Sequence, residues 1–68
     1  MFKYDYVLKL ITRFDSVIYI YKYKILRSQF YEFLHMTLLT YKDTIKSYEV
    51  FKIDFDTLVR LDVDVLLD

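Results

Sequence analysis

The chain has 68 residues, ten Lys/Arg against ten Asp/Glu for a formal net charge of zero, 56% hydrophobic and 21% aromatic residues, and no Gly, Pro, Cys or Trp. Without Cys it forms neither a disulfide nor a thiolate metal site, and without Gly it lacks the phosphate-cradling loops, dinucleotide fingerprints, nucleophile elbows and EF-hand calcium loops that need glycine where the backbone turns sharply or meets a ligand. A domain this short buries only about 60% of its unfolded surface, so a dense aromatic core and a second subunit are the expected sources of stability.

Residues 2–14 alternate with period two, placing Phe2, Tyr4, Tyr6, Leu8, Leu10 and Phe14 on one side and Lys3, Asp5, Val7, Lys9, Ile11 and Arg13 on the other. Residues 17–25 repeat the pattern, with Val17, Tyr19, Tyr21, Tyr23 and Ile25 against Ile18, Ile20, Lys22 and Lys24. Both segments read as strands, supported by their β-branched and aromatic residues. Asp15-Ser16 between them reads as a two-residue hairpin loop, with Asp a tolerated substitute for Gly or Asn at positive φ. That loop would pair Thr12 with Tyr19, Leu10 with Tyr21, Leu8 with Tyr23 and Tyr6 with Ile25, making an apolar core face. The opposite face would set Lys9 across from Lys22 and Val7 across from Lys24. Opposed lysines destabilise a sheet unless an anion lies between them. The tyrosines are therefore expected to be structural and the lysines to face an anionic partner.

A helix follows, with Ser28 as N-cap and Phe30, Phe33, Leu34, Leu38, Tyr41 and Ile45 as its apolar stripe. Tyr31, Met36 and Leu39 fall partly outside that stripe and offer apolar surface to a partner. The helix is expected to end near Lys42-Asp43, because Ser47 to Phe55 alternates again as a third strand. From Thr57 to Leu67, Val59, Leu61, Val63, Val65 and Leu67 share one strand face, although a helix with Asp56 as N-cap also fits. The architecture expected is a single α+β domain, ββαββ, with one helix packed on an antiparallel sheet; ββαβα is the alternative.

Charge is segregated along the chain: residues 1–28 carry six Lys/Arg against two Asp, a net +4, and residues 49–68 carry two against six acids, a net −4. Self-neutralisation across strands, or between two subunits related by a two-fold axis, accounts for this split. The pairs Asp54/Asp56 and Asp62/Asp64 have the spacing of a divalent-cation site on a strand, but Asp alternating with apolar residues is ordinary solvated patterning. His35 is the only histidine, and no nucleophile–base pairing is suggested, so no catalytic residue, metal or cofactor is expected.

The longest uninterrupted apolar run is Val17 to Tyr21, short of the roughly 20 residues a membrane span needs. Charges break up the apolar residues at the N-terminus, unlike a signal peptide. A soluble protein of the cytoplasm is expected, the host cytoplasm if the biased composition reflects a viral or mobile-element origin. The function expected is a non-catalytic protein–protein interaction module, homodimeric, inhibiting or regulating a larger protein. Its candidate contacts are Tyr31, Met36 and Leu39 on the helix and Lys9, Lys22 and Lys24 on the sheet's back. Single-stranded nucleic-acid binding through the Tyr/Lys hairpin is the alternative, weakened because alternation sends the two residue types to opposite faces.

Overall fold

The computed structural model describes residues 2–63. It contains β1 (Lys3–Thr12), β2 (Val17–Leu26), α1 (Arg27–Thr40), β3 (Ile45–Asp54) and β4 (Thr57–Leu61). The strands form one antiparallel sheet in the order β2-β1-β3-β4, giving the ββαββ arrangement. Thr57 to Leu61 is strand, as the valine spacing suggested; Asp62 and Val63, expected to continue it, are irregular, and residues 64–67 lie outside the described residues.

The first chain reversal corrects the expected two-residue loop. Asp15 N–H donates to Thr12 O at 3.0 Å and Thr12 N–H to Ser16 O at 2.9 Å, so the loop proper is Arg13-Phe14-Asp15, with Asp15 at φ 61°. The Thr12 side chain locks it, its hydroxyl accepting from the backbone N–H of Phe14 at 3.3 Å and of Ser16 at 3.2 Å. The physical reason is the missing glycine. A type I′ two-residue turn puts both central residues at positive φ, whereas a type I turn followed by one left-handed residue needs a single such position, and Asp is among the few side chains that visit it.

This loop moves the register by an odd number of residues. Leu10 faces Ile18 rather than Tyr21, Leu8 faces Ile20 and Tyr6 faces Lys22. An odd slip turns every side chain of a strand to the other face. The expectation that the β2 tyrosines line the core is therefore overturned: Tyr19, Tyr21 and Tyr23 are 53%, 50% and 61% exposed. Ile20 packs against the core in their place.

A bulge then corrects the phase of β2. Tyr23 and Lys24 together oppose Asp5, between the pairs Tyr6–Lys22 and Tyr4–Ile25. Lys24 sits at φ 53°, and its N–H donates to Asp5 Oδ1 at 2.9 Å. Uninterrupted alternation would have sent Lys24 toward the helix and Ile25 away from it; the extra residue returns Ile25 to the core's edge.

The core lies between β1, β3 and α1. Tyr6, Leu8, Leu10 and Val50 meet Phe30, Leu34 and Leu38, and the Tyr6 and Phe30 rings stack at 4.4 Å. The helix begins two residues earlier than expected, with Leu26 rather than Ser28 as N-cap, because the Gln29 side chain reaches back to accept the Leu26 N–H at 3.2 Å. Of the expected stripe, Phe30, Leu34 and Leu38 are fully buried, Tyr41 is 55% exposed and Ile45 opens β3. The last strand does not lie beside Lys22 and Lys24, since β4 is at the sheet edge opposite β2; the acidic and basic segments meet instead where β3 pairs with β1, at Glu49 and Lys9.

Replacing Asp15 with Gly should stabilise the fold by about 0.5–1 kcal/mol by relieving the left-handed strain, and Thr12→Val should cost about 1–3 kcal/mol through two orphaned amides. Urea denaturation reads both, and a destabilised D15G would contradict the turn. Burial raises the Tyr6 phenol above its usual 10.0. A raised native value favours the protonated fold, so this contribution is fully present below pH 10 and is lost as pH rises through the higher native value. Tyr6→Phe should flatten the alkaline fall in stability, measured as denaturation midpoint against pH.

Candidate binding surface on the open sheet face

Helix α1 packs over β1 and β2 on one side of the sheet; among the described residues no element covers the other side. Strand pairing fixes what lies there. One row runs Tyr21–Val7–Phe51–Arg60, the next Tyr19–Lys9–Glu49. Val7 is only 1% exposed although no described element overlies it, with Tyr21 and Phe51 flanking it on the neighbouring strands. The rings of Tyr21 and Tyr23 stack in parallel, 6.1 Å between centroids and 9° apart in plane.

The charges on this face are compensated. Glu49 is shared, its Oε1 3.6 Å from Lys9 Nζ and its Oε2 3.8 Å from Arg60 Nε. The face is thus an aromatic field with a neutralised charged row beside it, and two oppositely directed pairs hold the carboxylate in place.

The three lysines expected on the sheet's back go to three different places. Lys9 is on the open face, opposite Tyr19 rather than Lys22. Lys22 points to the helix side, its Nζ 4.4 Å from the Phe33 ring centroid. Lys24 is exposed in the bulge. On the helix, Met36 is 57% exposed and Leu39 half-buried, while Tyr31 packs against the core and accepts a hydrogen bond from Arg27 Nε at 2.7 Å. Of these six residues Lys9 is the one that strand pairing places on the open face. Tyr19, Tyr21 and Tyr23 were missed there because the assumed loop had placed the tyrosines inward; Val7 was expected on this face, but opposite Lys24 rather than Tyr21.

An apolar cleft of about 350 Å³ opens at the opposite end of the helix, lined by Leu10, Ile18, Ile20, Thr37, Tyr41 and Ile45 among others. Asp54 and Asp56 flank the strained Phe55 turn, while Asp64 of the second acidic pair lies outside the described residues. Among the described residues no group of three or more His, Cys, Asp or Glu side chains comes together, and no helix is long and apolar enough to cross a membrane. No protein-family model matches the chain, and no curated protein or solved structure matches it either.

The shelter around Val7 has a measurable signature. Val7→Ala should cost about 1–3 kcal/mol, a core-like penalty on a face without a covering layer, whereas Tyr19→Ser should cost under about 1 kcal/mol. Thermal denaturation of the two variants distinguishes them, and equal small losses would show that the flanking rings do not enclose Val7.

Proposed function

We propose that the protein is a non-catalytic binding protein that docks protein partners on the open face of its sheet, a second copy of itself among them, and regulates a larger protein by occupying its surface. The observation that carries this reading is the row Tyr21–Val7–Phe51 on the face that no described element covers, an apolar and aromatic centre with exposed Tyr21 at its edge and compensated charge beside it. Interface cores are depleted in charge and enriched in tyrosine, which supplies contact area at low entropic cost. Two such sheets stacked face to face make a layer about 10 Å thick, and a two-fold axis lets identical faces serve as each other's partner. The proposed place of action is the cytoplasm, of the host where the chain is viral, in keeping with a sequence whose apolar runs are broken by charge.

Nucleic-acid binding is less favoured by this geometry. Stacking tyrosines do share a face with Lys9 and Arg60, but Glu49 lies between those two cations, and Lys22 ends over Phe33 on the helix side. Light scattering coupled to size exclusion, run from about 1 to 200 µM, should show a concentration-dependent dimer that Tyr21→Glu and Phe51→Glu abolish without unfolding the chain. A monomer throughout this range would remove self-association from the reading. Affinity for single-stranded nucleic acid that collapses between about 50 and 200 mM salt would replace the protein partner with a phosphate backbone.

A further inference from the structure

Beneath the C-terminal half of α1, helix and sheet are separated by the cleft of about 350 Å³. Leu10 of β1, Ile18 and Ile20 of β2 and Ile45 of β3 line it from the sheet, and Thr37 and Tyr41 from the end of the helix. Its cause lies in two helical positions. Phe33 and Thr37 are four residues apart and so share one side of α1. Phe33 packs against the core and holds the Lys22 ammonium 4.4 Å from its ring centroid, which fills the space over that part of β2. One turn later the same side of the helix carries a threonine, across the cleft from Ile20 and Ile18. That side chain is too short to close the gap.

Efficient packing would have closed it. Protein interiors leave few voids larger than a water molecule, and leucine at position 37 would supply both the missing volume and a higher helix propensity. The cleft is also open to ligands. Strand β2 is the outer strand on its side of the sheet, and Ile18 and Tyr41, 46% and 55% exposed, stand where the cleft meets solvent.

We propose that this cleft binds a small neutral alcohol whose apolar body has roughly eight to ten carbons. Size sets the first limit: an aliphatic cavity of about 150 Å³ is enough for benzene, and small-molecule sites begin near about 300 Å³. Charge sets the second. Among the described residues no Lys, Arg, His, Asp or Glu lines the cleft, so an ionised head group would lose its hydration without gaining a counter-charge. The hydroxyl follows from the remaining lining residues. Thr12 is already held by the amides of Phe14 and Ser16, which leaves Thr37, Tyr41 and Thr44 as side chains able both to donate to and to accept from a ligand hydroxyl. The cleft lies on the helix side of the sheet, so this site and the docking surface on the open face stand or fall separately.

The test is a methyl- and amide-resolved NMR titration of the whole chain with 1-octanol. Octanoate, of equal length but charged at neutral pH, is the control for charge, and ethanol the control for solvent effects. Saturable shifts are expected at the methyls of Leu10, Ile18, Ile20 and Ile45 and at the Thr37 amide, with octanoate binding at least about tenfold more weakly. Thr37→Leu should weaken octanol binding by about tenfold or more by taking up its volume, while its thermal midpoint stays equal or rises. That combination separates a ligand site from a merely structural threonine. Ile18→Ala, at a half-exposed position that the fold tolerates, should weaken binding by roughly threefold or more through lost apolar contact. Non-saturating shifts, shifts centred on Tyr21 and Phe51 instead, octanoate binding as tightly as octanol, or wild-type affinity in both variants would overturn the proposal.

Discussion

A single left-handed residue, Asp15, decides which side of the second strand faces inward. The Thr12 hydroxyl and the backbone of Thr12 hold it there through hydrogen bonds to Phe14, Asp15 and Ser16. From that geometry follows the pairing of Leu10 with Ile18, and from the pairing follow both the aliphatic core under α1 and the tyrosine-rich surface behind it. In a chain without glycine, each departure from ordinary backbone is made by a residue carrying a Cβ: Asp15, Lys24 and Phe55 all have positive φ. Such positions cost of order 1 kcal/mol or more each. Neighbouring hydrogen bonds offset the first two, from Thr12 and from Asp5.

The elements themselves were legible in the sequence. Period-two alternation marked the strands, and the spacing of Phe30, Leu34 and Leu38 marked the buried side of the helix. The face of β2 was not legible from the pattern, because both of its sides are apolar at the start: Val17, Tyr19 and Tyr21 on one, Ile18 and Ile20 on the other. Only turn chemistry separates the two registers, and a single residue's tolerance for positive φ is a short, local signal set against ten residues of strand. Lys22 misled in a second way. Its position reads as solvated, yet its aliphatic stem runs along the helix side to end over Phe33, as long cationic side chains do when an apolar surface lies beneath them.

The sheet separates two electrostatic regimes. Behind it, the Glu49 carboxylate joins Lys9 on β1 to Arg60 on β4, so part of the charge asymmetry between the chain's two ends is resolved within the sheet itself. In front, Arg27 and Lys52 rest on tyrosine rings, with no ion pair among the described residues. Cation–π contacts fix where these cations stand but leave their charge available.

The bulge at Tyr23 and Lys24 has a bearing on polymerisation. Strand β2 is the outer strand on its side of the sheet, and a flat outer strand reading Val-Ile-Tyr-Ile-Tyr is an invitation to open-ended stacking of one molecule on the next. The kink breaks that edge after Lys22 and sets an exposed ammonium beside it, leaving a template too short and too charged to propagate as a fibril.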